Sequence, residues 1–175
     1  MAIEPLRFER FDKSRHHREA FDCGTPSLTE YLKTKLNQQM KRGVTVGYVL
    51  VTPEGRIAGY VTLSNGEIPV GFAPTGLHLP PQLPVPTTVI GRLAVDRAFQ
   101  GRGLGGDLLV HAIRKAVEVS QHVASAVVEV DAVDENARRF YEHYGFRRLP
   151  DDELHLYLPM ADTVKVAGRS SGRGE

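Results

Sequence analysis

Gly91-Arg92-Leu93-Ala94-Val95-Asp96-Arg97-Ala98-Phe99-Gln100-Gly101-Arg102-Gly103-Leu104-Gly105-Gly106 is the stretch that decides the fold. It reads as the end of a strand, a glycine-rich loop and the start of a helix. Thr88 to Val95 is β-branched and apolar. From Gly103 to Val119, Leu104, Leu108, Leu109, Ala112, Ile113, Ala116 and Val117 recur on one helical side. A helix start presents unpartnered backbone N–H groups at the positive end of its dipole, and glycines let an anion approach that backbone closely. Gly101, Gly103, Gly105 and Gly106 remove the side chains, while Arg97 and Arg102 add charge. The guest expected of such a loop is a diphosphate.

Several anion-binding loops share this logic. A P-loop needs Lys-Ser/Thr after its last glycine, and Gly106 is followed by Asp107-Leu108. A dinucleotide-binding turn would match Gly101, Gly103 and Gly106, but it wants an acidic residue about 20 positions on, at a strand end. Glu129 and Asp131 on the next strand are too distant, and the hairpin upstream is foreign to that fold. A glycine-rich turn with no ligand is the remaining alternative. Four glycines in six residues would then weaken a helix start without purpose.

Working outward, Leu6 to Phe11 predicts a first strand. Ser27-Leu28-Thr29-Glu30 fits a capping box, with Leu28, Tyr31, Leu32, Leu36 and Met40 at helical spacing behind it. One helix over 28–42, stopped by Gly43, is expected. Val44 to Thr52 and Ile57 to Ser64 flank the turn Pro53-Glu54-Gly55-Arg56 and predict an antiparallel hairpin. Pro69 to Pro86 holds six prolines and predicts an ordered loop across a surface. Downstream, Ala124 to Ala132 predicts a strand, Glu135 to Tyr144 a short helix ended by Gly145, and Leu154 to Leu158 a last strand. The order, hairpin followed by β-α-β-α-β, fits one α/β domain over 1–163, with a mobile polar tail over 164–175.

The bulk numbers set outer limits. At 175 residues the chain can bury a real core, and 22 basic against 21 acidic residues argue against a wholly electrostatic nucleic-acid binder. The single cysteine, Cys23, follows an aspartate with no activating partner in sequence and reads as a packed thiol. No signal-like start and no apolar run of about 20 residues predict a cytoplasmic protein without membrane contact. The seven histidines show no ligand spacing, so no metal is expected, and His111 and His143 read as helix-surface residues.

Gln100-Gly101-Arg102-Gly103-Leu104-Gly105 resembles the Gln/Arg-x-x-Gly-x-Gly/Ala coenzyme A loop of the GNAT acetyltransferases. Ala137-Arg138-Arg139-Phe140-Tyr141-Glu142-His143-Tyr144-Gly145-Phe146, about 30 residues on, is similar to that family's A-x-x-x-Y-x-x-x-G-F segment. The resemblance implies a GNAT-type fold: a mixed, mostly antiparallel central sheet with splayed parallel central strands, flanked by helices. Acetyl-CoA is the implied cosubstrate. Its diphosphate would lie on Gln100, Gly101, Arg102, Gly103, Leu104, Gly105 and Gly106, and its pantetheine arm between Leu93-Ala94-Val95 and the strand Val127 to Val130. Many members carry Asn seven residues before the helix tyrosine. Here that place is Asp134, which reads as a helix cap, with Asn136 nearby as a coenzyme contact.

By the same resemblance Tyr141 is the general acid, with Tyr144 as fallback. A phenol of pKa near 10 stays protonated at pH 7 and can serve a thiolate. No carboxylate occurs from Thr88 to Val95. A lysine acceptor, of pKa about 10.4, would want a base there; an α-amine near 7.7–8.0 is already partly neutral. Glu67 and Glu129 remain candidate bases. Within the family, Phe21-Asp22-Cys23-Gly24 before the capped helix, Lys41-Arg42-Gly43 at its end, the proline-rich run before Gly91, and Phe140-Tyr141 most resemble the toxin branch of bacterial type II toxin–antitoxin pairs, which acetylates the α-amine of aminoacyl-tRNA. That branch implies a ribbon-helix-helix antitoxin as partner, and family members are often homodimers. Lys33, Lys35, Lys41, Arg42, Arg92, Arg138, Arg139, Arg147 and Arg148 are the candidates for neutralising tRNA phosphates. Two alternatives stay open: a relative that acetylates a small-molecule or protein amine, and a non-enzymatic module that binds coenzyme A.

Overall fold

The computed structural model describes residues 5–168. Seven strands, β1 (Arg7–Arg10), β2 (Val46–Val51), β3 (Ile57–Ile68), β4 (Val85–Val95), β5 (Val127–Asp131), β6 (Arg147–Arg148) and β7 (His155–Pro159), take the sheet order β1-β2-β3-β4-β5-β7-β6. β1–β2, β2–β3, β5–β7 and β6–β7 pair antiparallel, whereas β4–β5 pairs parallel. The helices are α1 (Pro26–Thr34), α2 (Leu36–Lys41), α3 (Leu104–Ser120), α4 (Glu135–His143) and α5 (Thr163–Ala167). This is the expected mixed α/β arrangement. The described chain divides into two compact units, 5–64 with 92–109, and 65–91 with 110–168. β3, β4 and α3 each contribute to both.

In the first unit α1 and α2 lay Tyr31, Leu32 and Leu36 against Val49, Val51, Ile57 and Tyr60, with Phe11 and Phe21 completing the core. Burying each such side chain contributes about 1.5–3 kcal/mol. The single helix expected over 28–42 is instead two, broken at Lys35 (φ −118°, ψ −39°). The break accompanies the seating of Leu36, which is fully buried and occupies space at Gly47, where a Cβ would lie 2.7 Å from Leu36 Cδ2. Nor is there a capping box. Thr25 is the N-cap, makes no side-chain cap bond, and is followed by Pro26 at the first helical position, where a missing N–H does no harm. Ser27 therefore falls inside the helix. Thr29 Oγ1 takes the N–H of Cys23 at 3.1 Å, which pins the preceding turn.

In the second unit the proline-rich segment behaves as an ordered cover. Its Ala73, Leu77 and Leu79 pack on Ile68, Val85, Val127, Leu149 and Tyr157. β3 runs on to Ile68 and β4 starts at Val85, so the loop is shorter than the prolines suggest. Pro86 sits second in its strand, and its carbonyl accepts from Ala126 N–H at 2.8 Å. β4 and β5 pair from Thr87↔Val127 to Ile90↔Val130. Strand alternation puts Thr87, Val127, Glu129, His155 and Tyr157 on one face, and Val128, Val130, Leu156 and Leu158 on the other. The end of α4 lies on the latter face, since a Cβ at Gly145 would sit 3.7 Å from Leu158 Cδ1.

Residues 164–167, expected in a mobile tail, belong to α5. Val166 is buried, and Arg114 donates through Nε and Nη2 to the Ala167 carbonyl at 3.1 and 2.9 Å. The rest of that expected tail, 169–175, lies outside the described residues.

Candidate active site

The first unit contains the glycine loop. β4 ends at Val95, and the buried Asp96 anchors the turn that leads into the loop. Its carboxylate accepts from Ala98 N–H at 2.8 Å and Asp22 N–H at 3.0 Å, and Arg56 stands 3.7 Å away. The first of these caps a 3-10 turn over Arg97–Phe99. Gln100 then extends, and its amide donates to the carbonyls of Val95 (2.9 Å) and Cys23 (3.1 Å). The Gln100 side chain is thus committed to shaping the loop. Gly101 (φ +80°) and Gly103 (φ +76°) are left-handed, and a Cβ on either would meet nothing within 4 Å. Glycine is required there by conformation, not by crowding, and the space before the backbone is open.

α3 begins at Leu104, with Asp107 N–H closing the first turn on the Gly103 carbonyl at 3.2 Å. The N–H groups before it have no intrahelical partner by helix geometry. Arg102 is exposed, with its guanidinium 5.3 Å from the Phe99 ring, whereas Arg97 is paired to Asp22 at 3.6 Å. Of the residues expected to flank pantetheine, Ala94 is buried and Leu93 and Val95 are half-buried.

Arg92 has a specific place. Its guanidinium lies 3.7 Å above the ring of Tyr31, and its N–H donates to Thr62 Oγ1 at 3.0 Å. Tyr31 donates to Gln39 Oε1 at 2.6 Å and stacks on Tyr60. Burial raises the pKa of Tyr31, and the charge of Arg92 opposes that shift. Arg92 is accordingly a packed cation. Lys33 is half-buried in the last turn of α1, while Lys35, Lys41 and Arg42 are exposed.

The second unit contains α4. Asp134 caps it, accepting from Ala137 N–H at 2.8 Å, as expected, and Asn136 is exposed in its first turn. Tyr141 is buried between Phe140 (centroids 5.1 Å apart) and Phe146 (5.5 Å), both edge-to-face. That burial pushes its phenol well above the ordinary tyrosine range. The fallback, Tyr144, is half-buried against Phe140 at 5.3 Å. The arginines around this helix are paired. Arg138 faces Glu142 (3.5 Å) and Glu153 (3.7 Å), Arg139 faces Glu135 (3.8 Å), Arg147 faces Asp162 (3.2 Å), and Arg148 faces Glu142 (2.9 Å). Their charge is largely answered within the fold.

A cluster that sequence reasoning missed lies on the other face of β5. Thr87 Oγ1 donates to Glu129 Oε1 at 2.8 Å; Glu129 Oε2 meets His155 Nε2 at 2.7 Å; His155 Nδ1 meets Asp151 Oδ2 at 2.8 Å. Burial alone would lower the pKa of His155, but the bonds to Asp151 and Glu129 outweigh it and the value is raised. Asp151 is lowered: burial opposes the shift, and the bond from His155 prevails. Gly66 makes room for the group, since a Cβ there would come 2.9 Å from Thr87 Oγ1 and 3.1 Å from Glu129 Oε1. The other candidate base, Glu67, is exposed on β3. Among the described residues no cluster of three His, Cys, Asp or Glu could hold a metal ion. No helix among them is long and apolar enough to cross a membrane.

The acetyltransferase (GNAT) family profile matches residues 15–146, and the chain belongs to that family of N-acetyltransferases. Within it, the chain is similar to a tRNA-acetylating toxin of Mycobacterium tuberculosis, with 36% identity over 149 residues covering 85% of this chain and 89% of the relative. It is also similar to two solved structures. One is AtaT complexed with acetyl-methionyl-tRNAfMet (TM-score 0.84, 30% identity, 93% of this chain and 99% of that one). The other is a tyrosine-to-phenylalanine variant of AtaT bound to the C-terminus of the antitoxin AtaR and acetyl-CoA (TM-score 0.79, 28% identity, 94% and 99%).

Proposed function

We propose that this chain is the toxin of a toxin–antitoxin pair, an acetyl-CoA-dependent enzyme that acetylates the α-amine of aminoacyl-tRNA and so blocks translation. The observation that carries the reading is the loop Gln100–Gly106. Its two left-handed glycines open the backbone at the start of α3, in a chain 36% identical to a tRNA-acetylating toxin. The loop holds the diphosphate of acetyl-CoA, helped by Arg102, with Leu93, Ala94, Val95 and Asn136 along the pantetheine arm.

The amine nitrogen attacks the thioester carbonyl, the C–N bond forms, and the C–S bond breaks. The amine proton leaves to water, because an α-amine near pKa 8 is partly neutral at pH 7 and β4 carries no carboxylate. Tyr141 gives its proton to the departing thiolate. Burial holds its phenol protonated at neutral pH, where the amine is already partly free to attack, and after the transfer it regains a proton from solvent. Lys33 on α1 and Lys41 and Arg42 at the end of α2 contact tRNA phosphate, joined by Arg92, Arg138 and Arg139. The partner is a ribbon-helix-helix antitoxin, the assembly is a homodimer, and the place of action is the cytoplasm.

A second reading, acetylation of a small-molecule or protein amine, is favoured by one observation: Arg138, Arg139, Arg147 and Arg148 face Glu135, Glu142, Glu153 and Asp162, with Glu142 shared by Arg138 and Arg148. One experiment separates the two. Incubation of total charged tRNA with enzyme and labelled acetyl-CoA, followed by mass spectrometry, should show an acetylated aminoacyl end. In parallel, wild type but not Tyr141→Phe should arrest bacterial growth. Unlabelled tRNA together with unimpaired growth would discard the toxin reading.

A further inference from the structure

Arg92 is held differently from the arginines around α4. Arg138, Arg139, Arg147 and Arg148 face carboxylates, whereas Arg92, among the described residues, forms no ion pair. Its guanidinium lies instead 3.7 Å from the centre of the Tyr31 ring, over its face. We propose that Tyr31 is a positioning residue, whose ring fixes the Arg92 guanidinium so that its edge meets a phosphate of the acceptor tRNA. The inference rests on the aminoacyl-tRNA reading and adds to it the means by which one cation is oriented.

The platform is itself rigid. Tyr31 is buried, donates to Gln39 Oε1 at 2.6 Å across the break between α1 and α2, and packs nearly parallel to Tyr60, with 17° between the ring planes. Tyr60 donates in turn to the Leu28 carbonyl at 2.6 Å. On the strand side, Arg92 N–H donates to Thr62 Oγ1 at 3.0 Å, and Ala94, two residues on and on the same strand face, belongs to the core that contains Tyr31 and Tyr60. Both the ring and the base of the arginine are thus fixed. The negative face of an aromatic ring attracts the flat face of a guanidinium, and the N–H donors then point outward along its edge, the geometry that suits a phosphate. A mobile arginine loses rotamer freedom when it binds, at roughly 2- to 12-fold in affinity for one long side chain. An arginine already stacked on a buried ring has lost that freedom on folding. Arg92 is also half-buried, where an unanswered charge attracts an anion more strongly than it would in open water.

The test drains the ring of its negative face without emptying the core. Tyr31→Phe keeps that face, and phenylalanines carrying one, two or three fluorines at position 31 weaken it stepwise with little change of shape. Acetylation of total charged tRNA is measured across the series, with Arg92 present and with Arg92→Gln. With Arg92 present, KM for charged tRNA should rise with each fluorine, to a total of roughly 2- to 12-fold, at constant kcat. With Arg92→Gln the series should be flat. Arg92→Gln itself should lower the slope of log KM against log salt by about 0.7–0.9, the loss of one phosphate contact. Acetyl-CoA affinity, read by calorimetry, should be the same throughout. A flat series with Arg92 present, an equal rise with Arg92→Gln, or an unchanged salt slope overturns the role of the ring while tRNA acetylation stands. A series that moves acetyl-CoA affinity in place of KM for tRNA overturns it too, because the anion held is then the coenzyme's. Failure to acetylate any charged tRNA removes the functional reading, and this inference with it.

Discussion

Replacing Gly103 by alanine separates a role in folding from a role in binding. Gly103 has φ +76°, and a Cβ there meets nothing within 4 Å, so the methyl group has room but the backbone is strained. An L-residue in the left-handed region costs roughly 1–2 kcal/mol. For a chain of 175 residues that is a loss of about 2–8 °C in Tm. Gly43 supplies the control: φ +72°, the same open surroundings, and a place at the end of α2, outside the loop. Gly43→Ala should show the same thermal loss.

The two variants should part company towards acetyl-CoA. At Gly103 the new methyl stands on the backbone that must approach the diphosphate, and strain turns the neighbouring N–H groups away. Loss of one charge-assisted hydrogen bond, about 1.5–3 kcal/mol, weakens binding roughly 10- to 100-fold. Calorimetric titration with acetyl-CoA, paired with thermal melts, reads both quantities. Equal affinity in Gly103→Ala and Gly43→Ala, at equal thermal loss, would refute the assignment of the loop as a diphosphate cradle.

Tyr141→Phe should fold and bind acetyl-CoA as the wild type does, while kcat falls by roughly 10²–10⁴, the usual contribution of a positioned acid; steady-state and titration measurements check the two halves. The His155–Asp151 pair should make stability pH-dependent at both ends. The raised pKa of His155 gives a contribution fully present below its ordinary 6.5 and lost as pH climbs through the raised value. The lowered pKa of Asp151 gives one fully present above its ordinary 3.8 and lost as pH falls through the lowered value. The Tm difference between wild type and His155→Gln should therefore be greatest between about pH 4 and 6.5 and shrink on the alkaline side. Asp96→Ala should be among the most damaging single changes, since it leaves the N–H groups of Asp22 and Ala98 without their acceptor at about 1–3 kcal/mol each; denaturant melts measure it.

Much of this is legible in local chemistry. The glycine loop, α3 and α4 with its Asp134 cap rest on signals within a few residues, and they fall where the sequence puts them. The break at Lys35 does not, because it goes with the seating of Leu36 at Gly47, a contact across elements that helical spacing cannot register. The Ser27–Glu30 pattern was a decoy, since Pro26 moved the helix start one turn-fraction upstream. His155, within the expected strand Leu154 to Leu158, carries no local signal of its role. Its partners are Glu129, 26 residues away, and Asp151, so only the register of β5 against β7 makes the cluster visible. The ion pairs of the arginines near Tyr141 are hidden for the same reason: Glu153 and Asp162 meet two of them from separate segments.

Asp96 touches two stretches of chain at once, the backbone of Asp22 and the turn that leads into the glycine loop, and Gln100 repeats the link through the Cys23 carbonyl. Insertions or deletions between Phe21 and Thr25 would thus be transmitted to the glycine loop, however remote from it they look on paper. Anyone wishing to regraft the segment leading into the first helix onto a relative would have to transplant both ends of that tether together.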